Sequence, residues 1–358
     1  MAAKRILICL DGTGNDPSDA KQKVDKEGKM EDDNISNVLK LHLLAGGRLD
    51  NVQLNAAQHS YYYSGVGTRG TIFRRALASA FARLEPKLIL KDAYDDLCGH
   101  YQVGDELFIF GFSRGAAIAR RLASQISREG VVVGRVKHEP HIKMLGVWDT
   151  VAAIGVPNLD DSEQPVSDVV FENGTIADKI DHAFHLAAVD ETRLAFRPTL
   201  MNFSPRVSEI WFPGVHSDVG GGYRLSGLSD LALKFMMDKA RDHGVAFIQP
   251  SAIAPAALSQ GKHKIDLEDV AAAPDARDRL HVHVRDEKVA SVTLKPRNIH
   301  VTVGDKPSAD RLPILHHSVI ERIKGDSSYR PVNLKELKHQ VLHADGSLTQ
   351  HGGLEEFI

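Results

Sequence analysis

Cysteine is scarce in this chain of 358 residues, with only Cys9 and Cys98 present. Cys9 lies inside an apolar run and Cys98 near the end of a helical pattern, so both read as small buried side chains rather than a disulfide. So few cysteines fit a reducing compartment. A surplus of charge is also missing: the net charge is -3 with 25% charged residues, far from the basic footprint of a nucleic-acid binder. No apolar run approaches the ~20 residues needed to span a bilayer. No signal-peptide core with a small-residue cleavage site follows Met1. The expectation is a protein synthesised as a soluble cytoplasmic chain, with export by a route that needs no cleaved signal left open. Internal repeats and low-complexity segments are absent too. The hydrophobic fraction, 42%, is what a globular chain needs to bury a sizeable core.

Against these absences stands a regular alternation of short apolar runs and helical patterns. Ile6 to Leu10 is a continuous apolar run ending in Asp11-Gly12-Thr13-Gly14-Asn15, as expected of a buried parallel strand with a glycine-rich turn at its carboxyl end. Further strands are predicted at His59–Tyr63, Glu106–Phe110, Ile142–Trp148 and Glu209–Val215. Helices are predicted after Asn34 as cap, over about 71–84, 87–100 and 114–128, and from Ser229 to His243. Residues 16–33 read as a mobile loop, 152–205 as a less regular insertion with helical character near 178–195, and 279–295 as an antiparallel hairpin. One more strand, a short helix near 317–324 and a tail complete the chain. The pattern implies an α/β fold: a mostly parallel central sheet with helices on both faces. The expected organisation is a single domain over 1–340, with a candidate cap at about 152–205 and a C-terminal tail over 341–358.

The sharpest local signal is Leu107-Phe108-Ile109-Phe110-Gly111-Phe112-Ser113-Arg114-Gly115-Ala116-Ala117, a G-x-S-x-G between an apolar strand and an alanine-rich helix. A nucleophilic serine of this kind sits on a tight strand-to-helix turn, where a Cβ at Gly111 or Gly115 would clash. The positive end of the helix then faces the developing negative charge. A serine nucleophile needs a base, and the base an orienting acid, in the chain order Ser, Asp or Glu, His. Met144-Leu145-Gly146-Val147-Trp148-Asp149 ends a strand on a carboxylate, and His216 follows another strand in a glycine-rich loop. Since the chain has 18 histidines, His216 is singled out by position and not by rarity. Asp218 is a possible secondary acid, and Asp190 a weaker one. The oxyanion donors would be the amides of Arg114 and of Gly12 or Thr13. Tyr61, Tyr62 and Tyr63, with Phe73 and Phe112, read equally as the wall of an acyl pocket and as core.

Taken in order, several segments resemble one family. They are Leu10-Asp11-Gly12-Thr13-Gly14-Asn15, Tyr63-Ser64-Gly65-Val66-Gly67-Thr68, Gly111-Phe112-Ser113-Arg114-Gly115-Ala116, Gly146-Val147-Trp148-Asp149-Thr150-Val151, Phe212 through Tyr223, and Tyr329-Arg330-Pro331-Val332-Asn333-Leu334. Together they look like the DUF2235 α/β-hydrolase domain family, which includes the Tle1-like phospholipase effectors of bacterial type VI secretion. The resemblance runs from about residue 5 to 335. It implies a triad of Ser113, Asp149 and His216, and it favours lipid-like esters. Tle1-like effectors carry additional membrane-engaging regions, whereas this sequence stops soon after the core, so the resemblance speaks more directly to hydrolase chemistry than to an effector role.

Two other motifs carry competing readings. Gly65-x-Gly67-x-x-Gly70 follows a strand, as a dinucleotide fingerprint does, but no acidic residue ends a strand about 20 residues on. His138-x-x-His141 and His182-x-x-His185 lack the carboxylate or cysteine partners of a metal site. The expectation is therefore an ester hydrolase that forms an acyl-enzyme without metal or cofactor. Its substrate would be a small-molecule or lipid ester, with transient contact to a membrane surface and no nucleic-acid partner. A small-molecule carboxylesterase or thioesterase is the alternative within the class. A non-catalytic interaction module on a hydrolase scaffold is the alternative outside it. The sequence leaves the oligomeric state open.

Overall fold

The computed structural model describes residues 3–15, 20–24, 30–65, 85–152, 174–260, 263–282 and 294–358. Its centre is a sheet of nine strands. In chain order they are β1 (Arg5–Leu10), β2 (Gln58–Tyr63), β3 (Glu106–Phe112), β4 (Ile142–Trp148), β5 (Ile180–Ala188), β6 (Val207–Phe212), β7 (Ile314–His316), β8 (His339–Leu342) and β9 (Leu348–His351). Their order across the sheet is β9-β8-β7-β6-β5-β4-β3-β1-β2. Every pairing is parallel except that of β8 with β9.

The inner strands are apolar on both faces because both faces are covered. Along β3, Phe108, Phe110 and Phe112 join one core cluster, while Leu107 and Ile109 join another. Side chains alternate across a strand, so the two clusters occupy opposite faces of the sheet. Helices α1 (Asn37–Leu44) and α5 (Gly227–Asp242) contribute to the first cluster. Helices α2 (Glu85–His100) and α3 (Ser113–Glu129) contribute to the second. A third cluster joins β5–β8 to helix α6 (His317–Gly325) through Ala187, Trp211, Leu315, Val341, Val319 and Ile323.

Several expectations need correction. Asn34 does not cap α1: its φ is 74°, and Ser36 accepts the Leu39 amide instead. Within the expected loop 16–33, Lys21–Val24 pairs antiparallel with Met30–Asp33. The helical character expected near 178–195 is in fact β5, in the middle of the sheet. Of the candidate cap, 153–173 lies outside the described residues and 180–188 belongs to the sheet. The segment after residue 340, expected as a tail, supplies the antiparallel edge strand β9 and the buried Leu354. The expected helix at 71–84 and most of the expected hairpin, 283–293, lie outside the described residues.

Candidate active site

Four strands end in polar groups at one edge of the sheet, the carboxyl edge, where functional groups of parallel sheets collect. Asp11 follows β1, Ser113 follows β3, Asp149 follows β4, and His216 opens the short helix α4 (His216–Gly220) shortly after β6.

Ser113 is the first residue of α3 and has φ 56°, the left-handed region that a non-glycine residue occupies only under strain of roughly 1–3 kcal/mol. The turn is possible because its flanking glycines have no side chain. A Cβ on Gly111 would lie 2.7 Å from the Gly115 carbonyl oxygen, and one on Gly115 would lie 2.2 Å from that of Asp11. Ser113 is 5% exposed. The preceding Phe112 ring packs on the His216 imidazole with centroids 4.6 Å apart, and Phe196 meets the imidazole edge-on at 4.9 Å.

His216 Nδ1 donates to Asp149 Oδ2 at 2.6 Å, which leaves Nε2 as the acceptor of a neutral ring. Burial lowers the proton affinity of His216, and Asp149 only partly offsets it. Asp149 is fully buried, with φ 38°. Burial alone would raise its carboxyl. The charge of Arg297, with hydrogen bonds from His216 and Arg297, outweighs burial and holds the group well below the ordinary carboxylate range. The main chain of His216 is held as well: its amide donates to Glu191 Oε2 at 3.2 Å, and Glu191 is buried against Arg193. The Val151 amide donates to the Ser113 carbonyl at 3.2 Å, tying the Asp149 loop to the serine turn.

The glycine-rich turn after β1 abuts the serine. A Cβ on Gly12 would sit 3.3 Å from the Ser113 Cβ. Buried Asp11 organises this turn by accepting from Ser36 Oγ at 2.6 Å, from the Tyr62 hydroxyl at 2.6 Å and from the Gly12 amide at 2.6 Å. The Gly12 amide is thus engaged by Asp11.

Asp218 does not turn toward His216. It accepts from His281 Nδ1 at 2.6 Å and from the Val215 amide at 3.0 Å, so it braces the loop instead of serving as a second triad acid. Asp190 accepts from the Gly214 amide at 2.7 Å and from the Tyr329 hydroxyl at 2.7 Å, and burial raises its carboxyl to about 6. The tyrosines of β2 are core, not pocket wall: Tyr62 bonds Asp11, Tyr63 donates to Asp96 at 2.8 Å, and Tyr61 packs in the core. Phe112 does reach the site, whereas Phe73, Gly67 and Gly70 lie outside the described residues. Gly65 serves packing, since a Cβ there would fall 1.5 Å from the Gly12 carbonyl oxygen. His182 and His185 are on a strand, where a spacing of three sends side chains to opposite faces. His185 is buried between Glu209 and the Thr150 amide, and His182 stacks on His243 at 4.1 Å.

Arg297 and Glu191 escaped the sequence reading. Neither lies in a segment on which the family resemblance rests, and Arg297 reaches Asp149 across 148 positions of chain.

The family model described as the catalytic domain of Tle1-like phospholipase effectors of type VI secretion matches residues 4–138 and 133–239. An uncharacterised protein of Saccharomyces cerevisiae is 31% identical over 147 residues, which is 37% of this chain and 18% of that protein. Two solved structures are similar. One is an uncharacterised protein from Pseudomonas aeruginosa, at 19% identity and TM-score 0.42, covering 70% of this chain and 48% of that one. The other is the Tle1 effector bound to the VgrG spike of the Type 6 secretion system, at 23% identity and TM-score 0.39, covering 62% of this chain and 51% of that one. The chain therefore spans about half the length of these two structures and a smaller share of the yeast protein.

Proposed function

The chain belongs to the family of Tle1-like phospholipase catalytic domains of type VI secretion, and on that premise we propose that it is a serine hydrolase of lipid-like carboxylic esters, phospholipid first. The observation that carries the reading is the buried 2.6 Å hydrogen bond between His216 Nδ1 and Asp149 Oδ2, with a serine strained at φ 56° whose neighbour Phe112 packs on that imidazole.

In the proposed reaction Ser113 Oγ attacks the ester carbonyl while His216 Nε2 takes the hydroxyl proton. The carbonyl oxygen becomes an oxyanion and rests on the amides of Arg114 and Thr13, at the positive end of α3. His216 returns the proton to the alkoxide leaving group, so the alcohol departs and the acyl group stays on Ser113. Water then attacks the acyl-enzyme, His216 takes its proton, and the carboxylic acid leaves as Ser113 Oγ regains that proton. Burial favours the neutral imidazole this sequence begins from. Asp149 orients the ring and balances the transient imidazolium.

The domain organisation proposed with it is one hydrolase domain, with the chain through β9 as part of the body. Synthesis in the cytoplasm, with export in the manner of a secretion effector and brief contact with a membrane surface, is the matching proposal for location.

A fluorophosphonate probe tests the nucleophile. Wild type should be labelled and Ser113→Ala should not, and equal labelling of both removes Ser113 from the mechanism. The same proteins, given short acyl esters, triglyceride and micellar phospholipid, test the substrate class. Cleavage of acetyl and butyryl esters with no action on phospholipid would make it a small-molecule esterase.

A further inference from the structure

Asp149 has a second side-chain partner besides His216. Arg297 Nη1 donates to Asp149 Oδ1 at 2.6 Å and Nη2 donates to Oδ2 at 2.8 Å, a two-pronged contact with both partners buried. Nη1 also donates to the Ala188 carbonyl at 2.9 Å, and Nη2 to the Phe196 carbonyl. The Ala188 amide adds a bond to Oδ1 at 3.0 Å. Oδ1 therefore accepts from Arg297 Nη1 and the Ala188 amide, and Oδ2 accepts from Arg297 Nη2 and His216 Nδ1.

The segment carrying Arg297 is itself pinned. Leu294 bridges Arg193, the Lys295 amide donates to the Thr192 carbonyl at 2.7 Å, and Asn333 Nδ2 donates to the Arg297 carbonyl at 3.4 Å and that of Val189 at 2.9 Å. The Tyr329–Leu334 motif thereby gains a physical role: it holds the loop that delivers the guanidinium.

A triad acid needs only to accept from imidazole and remain ionised, and a partly solvated carboxylate does both. A fully buried one would pay heavily for its charge unless a cation accompanied it. A guanidinium fork meets that need with fixed geometry, which a lysine cannot reproduce.

We propose that Arg297 is a positioning residue of this hydrolase: its guanidinium fork balances the buried charge of Asp149 and fixes the rotamer that faces His216. The proposal rests on the Ser113–His216–Asp149 reading above. The charged groups facing His216 and its partner are Asp149 from the end of β4, Arg297 from the 294–302 segment, and Glu191 with Arg193 from the loop after β5. Asp149 and Glu191 favour the imidazolium and Arg297 opposes it.

The test is the pH dependence of kcat/KM on a soluble chromogenic ester, with the full chain, for wild type, Arg297→Lys, Arg297→Met and Ser113→Ala. Wild type should show its acid limb below the ordinary imidazole value of about 6.5. Arg297→Met should move that limb to higher pH by about one unit, because the opposing charge is gone. Arg297→Lys should leave the limb near the wild-type position but lower kcat by about tenfold, because the charge stays and the fork is lost. A merely structural arginine would lower the amount of active enzyme without moving the limb. The idea is overturned by an unmoved limb in folded Arg297→Met, or by an Arg297→Lys enzyme whose kcat equals that of wild type. Retained hydrolysis in Ser113→Ala sinks the triad itself, and that result is distinct from an unmoved limb with Ser113→Ala inactive.

Discussion

Single residues at the carboxyl edge divide into those that face the imidazole and those that hold its loop. Asp149 and Asp218 are both buried aspartates near His216, yet only Asp149 meets its ring, while Asp218 is committed to His281 and a backbone amide. Replacing Asp149 by Asn would leave the shape but lose the carboxylate that balances the imidazolium, so turnover should fall by as much as ~10⁴-fold with little change in binding. Asp218→Asn should keep turnover within about tenfold while weakening the loop, since it removes a brace and not a proton partner. Steady-state kinetics on both variants, with circular dichroism to confirm folding, checks the pair. Near wild-type turnover in Asp149→Asn would move the acid elsewhere. The residues legible from sequence here were those whose neighbours in the chain announce them: Ser113 between glycines, Asp149 at a strand end, and His216 in a glycine-rich loop. Asp218, only a possible secondary acid by sequence, has its partner His281 63 positions away, which no neighbour in the chain announces.

The elements were read best where periodicity and burial agree. β1, β3 and β4 are apolar at nearly every position because helices cover both faces, and no other element gives that pattern over so short a run. β5 was missed: Ile180-Asp181-His182-Ala183-Phe184-His185-Leu186-Ala187-Ala188 mixes alanine with polar residues, and its strand character comes from pairing with β4 and β6 on either side. β9 was missed for a different reason, since an edge strand needs few apolar residues, and Leu348–His351 is largely exposed. That strand is nonetheless structural. Deleting 345–358 would open the β8 edge and remove the buried Leu354, at a cost of about 2–5 kcal/mol. Thermal unfolding of the truncated chain should therefore begin several degrees lower and end in aggregation. An unchanged midpoint would return the segment to the status of a dispensable tail.

On the scale of the whole molecule, the sheet edge gathers buried carboxylates whose titration links stability to pH in opposite senses. Asp190 is raised by burial to about 6, above its unfolded value near 3.9. The folded state then binds the extra proton, so the contribution of Asp190 is fully present below about pH 4 and is lost as pH rises through about 6. Asp149 is depressed, so its contribution is present above the unfolded value and is lost as pH falls through its folded value. Asp190→Asn should flatten the stability profile between about pH 4 and 6, as read from urea midpoints across that range. A slope identical to wild type would mean that Asp190 titrates normally. The sequence by itself determined the alternation of strand and helix, the parallel sheet, and the three strand ends that carry Ser113, Asp149 and His216. These are local properties, written in side-chain period and in the glycines a tight turn requires. Only the tertiary structure decided that Asp149 has Arg297 for a counter-ion, that Glu191 holds the backbone of His216, that the Gly12 amide is already engaged, and that the chain past residue 340 closes the sheet. Each of those depends on which distant segments the packed core brings to the same edge, and no residue's immediate neighbours in the chain specify that.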